Sequence, residues 1–206
     1  MSKKEKVQQI LKRLSIEWPN PKTELNFTTP LEILIATILS AQTTDKVVNS
    51  VTPELFATYT NVVEFADASE DQIHAMIRKV NYAHTKAKNI KKLAQILIDK
   101  YTGVVPDSME DLISLPGVAR KTANVVLGNA FGKNEGIAVD THIIRLSPLL
   151  GLTTEKKPEK IEQDLMNIVP KKDWTKFSHL LILYGRYKCS ARMDVKACPI
   201  LTDLFV

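Results

Sequence analysis

Apolar residues recur along this chain at helical spacing almost throughout. Val7, Ile10, Leu11 and Leu14 follow an i, i+3, i+4, i+7 pattern, and Leu31, Leu34, Ile35 and Ile38 repeat it. The stripe returns at Ile73, Met76, Ile77 and Val80, at Ile90, Leu93, Ala94 and Leu97, and at Ala123, Val126, Leu127 and Ala130. A looser version joins Ile161, Leu165 and Ile168. Strict apolar–polar alternation, the mark of a half-buried strand, is nearly absent, so the pattern predicts an all-α protein. Ser69–Gln72 and Asp107–Glu110 have capping-box spacing, and Pro53 suits a first helical position. Breaks fall near 18–29, 101–107, 131–136 and 153–158. The polar Gly132-Lys-Asn-Glu-Gly136 link is the expected domain boundary. Ile137-Ala-Val139 is too short for a helix and reads as an extended segment that threads through packed structure and delivers Asp140.

Composition changes this picture little. At 206 residues the chain can build one large domain or two small lobes without covalent staples. A net charge of +5 admits a polyanionic partner without demanding one. The longest apolar stretch, around Leu31–Leu39, is about half of the ~20 residues a membrane-spanning helix needs. The Met1-Ser-Lys-Lys-Glu-Lys start leads into Val-Gln-Gln rather than the apolar core of a secretory leader. Cys189 and Cys198 do not make a disulfide framework, and a reduced cytoplasmic setting is expected (nucleoid-associated in a prokaryote). Their spacing leaves open whether they bridge; free thiols are the default in a cytosol.

Leu115-Pro-Gly-Val-Ala-Arg-Lys121 lies between two helical patterns. Proline presets φ for the first central residue of a turn and glycine supplies positive φ at the next. Turn and helix-start N–H groups can then grip phosphate oxygens without reading sequence. Pro-Gly alone fits an ordinary helix–turn–helix connection; the longer string through Arg-Lys-Thr-Ala-Asn-Val-Val resembles the helix–hairpin–helix of the endonuclease III family of DNA glycosylases. Three further segments resemble that family in the same order: Leu39-Ser-Ala-Gln-Thr-Thr-Asp45, Val139-Asp-Thr-His142 and Leu183-Tyr-Gly-Arg-Tyr-Lys-Cys189. Where the family has a second hairpin glycine this chain has Ala119.

The resemblance implies a chemistry. An amine that attacks the anomeric carbon forms a Schiff base with the opened sugar, and the imine acidifies the neighbouring proton enough for β-elimination of the 3′ phosphate. Lys121 falls at the family's nucleophile position and Asp140 at its carboxylate, which stabilises the cationic sugar and shuttles protons. Read without context, Lys121 is a solvated helix-start lysine and Asp140 a helix N-cap. The resemblance also makes Gln42 a side chain that inserts into the duplex, and Tyr82 an intercalating wedge that helps extrude the damaged nucleotide. A half-buried loop aromatic is the other reading of Tyr82. Leu115, Gly117, Val118, Ala119 and Arg120 become the DNA-gripping hairpin. Lys86, Lys88, Lys91 and Lys92 supply phosphate contacts or a solvated helix face. His142 reads as a structural, hydrogen-bonded histidine.

The family usually ends in a four-cysteine loop that holds an iron–sulfur cluster. Here Cys189 and Cys198 align with its first and third ligands. The second falls near Val195–Lys196 and the fourth on Leu204 or Phe205, so no cofactor and no metal site are expected, and Leu201, Leu204 and Phe205 are expected to pack in that loop.

The reading is therefore an all-α fold of two helical lobes, residues 22–134 carrying the helix–hairpin–helix and residues 1–21 plus 135–206 carrying Asp140, with an interlobe DNA-binding cleft implied by the family. The expected function is that of a base-excision repair glycosylase with AP lyase activity, a monomer acting on double-stranded DNA with oxidised pyrimidines or abasic sites and needing no membrane. A mismatch or oxidised-guanine glycosylase of the same superfamily and a non-catalytic helix–hairpin–helix DNA-binding module are the alternatives.

Overall fold

A computed structural model describes Met1–Val206. The α-helices are α1 (Lys3–Glu17), α2 (Pro30–Ser40), α3 (Asp45–Thr58), α4 (Val62–Asp67), α5 (Glu70–Ile77), α6 (Ala83–Tyr101), α7 (Met109–Ser114), α8 (Arg120–Ala130), α9 (Thr141–Leu149), α10 (Pro158–Ile168) and α11 (Trp174–Tyr187). Single 3₁₀ turns lie at Lys171–Asp173, Val195–Ala197 and Thr202–Leu204. The chain divides into two compact units, Thr23–Lys133 and the pairing of Met1–Lys22 with Asn134–Val206. No helix is long and apolar enough to cross a membrane.

The continuous unit is built around α2. Every residue from Ile33 to Leu39 is buried, so this helix is enclosed on all sides rather than on the one stripe that periodicity suggests. Thr29 caps it by accepting from the Glu32 N–H, with Pro30 in the first turn. Helix α6 packs against α4 and α5, and α8 against α2. The Ser69 box with Gln72 forms as its spacing predicts.

Two expected helix starts shift. Pro53 lies inside α3, whose cap is Thr44. Proline withdraws the N–H that would bond the carbonyl four residues earlier, yet the helix runs on because Val48, Val51, Thr52 and Leu55 are buried along it. The cap of α7 is Ser108, which accepts from the Asp111 N–H. Asp107 instead pairs with Lys133 at 2.6 Å.

In the discontinuous unit, α1 begins with a Ser2–Glu5 capping box that the sequence reading missed. Its Val7, Ile10 and Leu14 join one apolar cluster with Ile143, Leu146, Phe177, Leu180 and Tyr184. Lys6 Nζ donates to the carbonyls of Leu150 and Leu204 at 3.0 and 2.9 Å, and Arg13 makes a forked contact with Asp203. The chain doubles back after α11, where the Tyr184 hydroxyl donates to the Pro199 carbonyl at 2.8 Å. That reversal brings Cys189 and Cys198 to a Cα separation of 5.0 Å, and they form a disulfide, the question their spacing left open, in place of the default free thiols. Leu201 and Leu204 are fully buried in the same cluster, with Phe205 packed against it.

His179 is buried on α11, and burial pushes its imidazolium down from 6.5 to about 4. The unfolded chain therefore binds a proton that the folded chain refuses between those values, so stability is full above about pH 6.5 and is lost as pH falls toward 4. Urea midpoints measured from pH 7 to pH 4.5 should fall for the natural protein and fall less steeply for His179→Gln.

Candidate nucleic-acid interface and active site

The Leu115 carbonyl accepts from the Val118 N–H at 3.2 Å, closing a four-residue turn with Pro116 and Gly117 at its centre. Gly117 has φ +78°, and a Cβ there would lie 3.1 Å from Asn89 Nδ2, so conformation and space both demand glycine. Leu115 and Val118 are buried and anchor the turn, while Gly117, Ala119 and Arg120 are exposed. Ala119 has φ −90°, an ordinary value for any L-residue, so the departure from glycine leaves the backbone of the hairpin intact. Its methyl cannot cap α8, which leaves the first-turn N–H groups of that helix for an external anion. Lys121 sits in that first turn and is exposed. The next three residues, Thr122, Ala123 and Asn124, are buried and fix the rotation of α8, so the amine is held on the outer face.

Asp140 lies in the other unit. Ile137, Ala138 and Val139 are buried and non-helical, and they set Asp140 as the N-cap of α9. Its Oδ1 accepts from the N–H groups of both His142 and Ile143 at 2.9 Å. One oxygen carries both cap bonds, so the cap role does not consume Oδ2, and capping and chemistry coexist in this side chain. His142 packs against Gly185 of α11: a Cβ at Gly185 would sit 2.7 Å from its Nδ1 and 2.9 Å from its Cβ. Gly185 thus lets α11 approach the first turn of α9, next to Asp140. Nothing local in the sequence signals this, because its neighbour is remote along the chain.

Gln42 and Tyr82 lie on two loops that the structure brings together. Both adopt left-handed backbone, φ 55° and 57°, which costs an L-residue about 1–2 kcal/mol. Both side chains are exposed, Tyr82 at 64%. Asn81 joins the loops: its N–H donates to Thr43 Oγ1 at 3.0 Å and its Nδ2 to the Gln42 carbonyl.

The lysines of α6 divide. Lys88 and Lys92 are exposed. Lys91 Nζ instead donates to the carbonyls of Ala66 and Ala68 at 2.8 and 2.6 Å, at the C-terminal end of α4. Lys86 is 5% exposed and bonded to carbonyls of the Gln42 loop. Neither of these two ammonium groups is presented for phosphate; backbone oxygens hold both.

The residues present do not fit the four-thiolate cluster that the C-terminal resemblance implies. The two sulfurs are bonded to each other, and no group of three or more His, Cys, Asp or Glu side chains is placed to hold a metal.

Comparison with known proteins bears on both units. Residues 35–171 match the HhH-GPD superfamily base excision DNA repair protein model. Over 93% of its length the chain is 46% identical to endonuclease III of Synechocystis sp., covering 87% of that protein. It is 41% identical to endonuclease III of Escherichia coli over 95% of its length and 92% of that protein's. The chain belongs to the endonuclease III family. Among solved structures, a trapped endonuclease III–DNA covalent intermediate superposes on all of the chain and 96% of its own, with a TM-score of 0.92 and 40% identity. A thermostable thymine-DNA glycosylase shares the fold at a TM-score of 0.83 and 21% identity. The stretch matched to the superfamily contains the Gln42 and Tyr82 loops, the hairpin, Lys121 and Asp140. Gly185 lies outside that stretch, in the Leu183–Cys189 segment that resembles the family, and its contact with His142 is read from the packing.

Gly185→Ala therefore tests how Asp140 is set. The added methyl overpacks the α9–α11 contact and should destabilise the protein by about 1–3 kcal/mol. Base release should fall further than the loss of folded protein accounts for, as single-turnover rates normalised to folded fraction would show.

Proposed function

We propose that this protein removes oxidised pyrimidines from double-stranded DNA and nicks the strand through a Schiff base on Lys121, with Asp140 as the carboxylate of the reaction. The observation that carries this reading is Lys121 itself: an exposed amine in the first turn of α8, directly after the hairpin turn. It stands in a chain 40% identical to an endonuclease III that was trapped as a covalent DNA intermediate. A glycosylase that only removes bases needs water as its nucleophile, whereas covalent capture needs a side chain.

The unprotonated Lys121 Nζ attacks C1′, the N-glycosidic bond breaks, and the base departs with a proton. Ring opening gives the imine. Removal of a C2′ proton then expels the 3′ phosphate by β-elimination, and hydrolysis of the imine frees the lysine. Asp140 offsets the positive charge on the sugar as the base leaves, and moves protons during ring opening and elimination. The hairpin from Leu115 to Arg120 grips the phosphate backbone without reading sequence. Gln42 and Tyr82 enter the duplex and fill the space vacated by the extruded nucleotide. The mildly basic charge suits this partner. No step uses a cluster, and we read the protein as active without iron.

Borohydride trapping on abasic-site DNA decides the lyase chemistry. The natural protein should give a covalent adduct, and Lys121→Gln should give none while still binding the duplex. An adduct of undiminished yield in Lys121→Gln, or none in the natural protein, overturns the assignment; the latter result is the behaviour of a binding module. Asp140→Asn should slow base release by about 10²–10⁴-fold. Iron analysis of the purified protein should find no stoichiometric metal and no visible absorption band. A panel of thymine glycol, dihydrouracil, oxidised-guanine and uracil duplexes should show fastest release from the oxidised pyrimidines.

A further inference from the structure

We propose that Lys86 and Asn81 are positioning residues that lock the Gln42 and Tyr82 loops into one rigid wedge, so that base extrusion depends on a buried ammonium that never touches DNA. This rests on the reading above that Gln42 and Tyr82 enter the duplex.

The geometry is specific. Lys86 arises in the first turn of α6, just after Tyr82, and its Nζ reaches across to the end of α2. It donates to the Leu39 and Ala41 carbonyls, both at 2.7 Å, and to Thr43 Oγ1 at 3.3 Å. An ammonium has three donors, and these three oxygens engage all of them. They bracket Gln42 on both sides. Thr43 Oγ1 also accepts from the Asn81 N–H, while Asn81 Nδ2 donates to the carbonyl of Gln42 itself. One small network therefore contains the residue next to Tyr82, both neighbours of Gln42 and the last turn of a helix that is buried on every side.

The demand for such a network is visible in the backbone. Gln42 and Tyr82 are non-glycine residues in left-handed conformation, and such residues persist only where surrounding structure over-determines them. Exposed side chains on unbraced loops would be too poorly placed to displace a stacked base. The cation has no carboxylate among these partners; neutral carbonyls at the negative end of the α2 dipole hold it. Burial accordingly pushes the Lys86 ammonium below the usual lysine value.

Lys91 supplies an internal control, because the same helix makes a second clamp of the same kind, onto Ala66 and Ala68, away from the two loops. Lys86→Met and Lys91→Met each remove a two-carbonyl contact, buried for Lys86 and partly buried for Lys91, and should both lower Tm. Only Lys86→Met should reduce the fluorescence rise of a 2-aminopurine placed beside a tetrahydrofuran abasic analogue, and slow single-turnover base release by about ten- to a hundredfold. Its affinity for undamaged duplex, which reads phosphate grip alone, should be unchanged. Asn81 is exposed, so Asn81→Ala folds even if Lys86→Met does not, and it should show the same losses to a smaller degree. Equal behaviour of the two lysine variants, with Asn81→Ala like the natural protein, overturns the proposal. Gln42→Ala and Tyr82→Ala in the same assay separate the failures. If these two leave the fluorescence rise intact, the wedge reading falls and the proposal with it. If they abolish it while Lys86→Met and Asn81→Ala do not, the coupling alone is wrong.

Discussion

An α-helix ends with N–H and carbonyl groups that have no partner inside it, and the placement of the candidate functional side chains in this protein follows from how those ends are satisfied. Lys121 is in the first turn of a helix whose cap residue, Ala119, has no side-chain group to meet the orphan N–H groups. Asp140 is itself a cap, and it meets two orphan N–H groups through one oxygen. At the opposite poles, lysines do the corresponding work: Lys6 on the carbonyl that ends α9, Lys91 at the end of α4 and Lys86 at the end of α2. Each contact joins segments remote in sequence. The same bonds that finish a helix therefore also fix where a loop begins, and the loops carry the candidate chemistry.

The helical class was legible because burial imposes a 3.6-residue period wherever a helix lies on a core. Local punctuation was less reliable. Pro53 looks like a helix start when read with its neighbours alone, but apolar burial on both sides of it outweighs one missing hydrogen bond. Asp107 and Ser108 are both good caps by residue type; Ser108 takes the role while Asp107 pairs with Lys133, a contact invisible in a window of four residues. The Pro116-Gly117 turn was readable because its backbone demand is local. Gly185 was not, since the side chain it must admit comes from another helix. The disulfide likewise depends on a chain reversal that spacing does not encode.

Lys86 shows a signal that was present and under-read. It lies on the stripe of Ala83, Ala87, Ile90, Leu93 and Leu97, all buried, whereas Lys88 and Lys92 fall off it. Charge grouped the four lysines together; helical phase separates them. A lysine in phase with a core face must bring its ammonium to protein acceptors that replace water, here two carbonyls and the Thr43 hydroxyl.

The division of the chain also has a consequence for synthesis. Residues 23–133 form a continuous unit, so every partner in its core emerges from the ribosome in one uninterrupted run. Helix α1 emerges well before its partners at Asp203 and Leu204, which lie 190 and 198 residues further along the chain. At 5–20 residues per second that leaves an amphipathic helix waiting for roughly ten to forty seconds. Its three buried apolar residues, Val7, Ile10 and Leu14, have no complete core to enter until α9 and α11 have followed. The nascent chain thus exposes a short hydrophobic stripe for most of its elongation, a natural target for ribosome-associated chaperones.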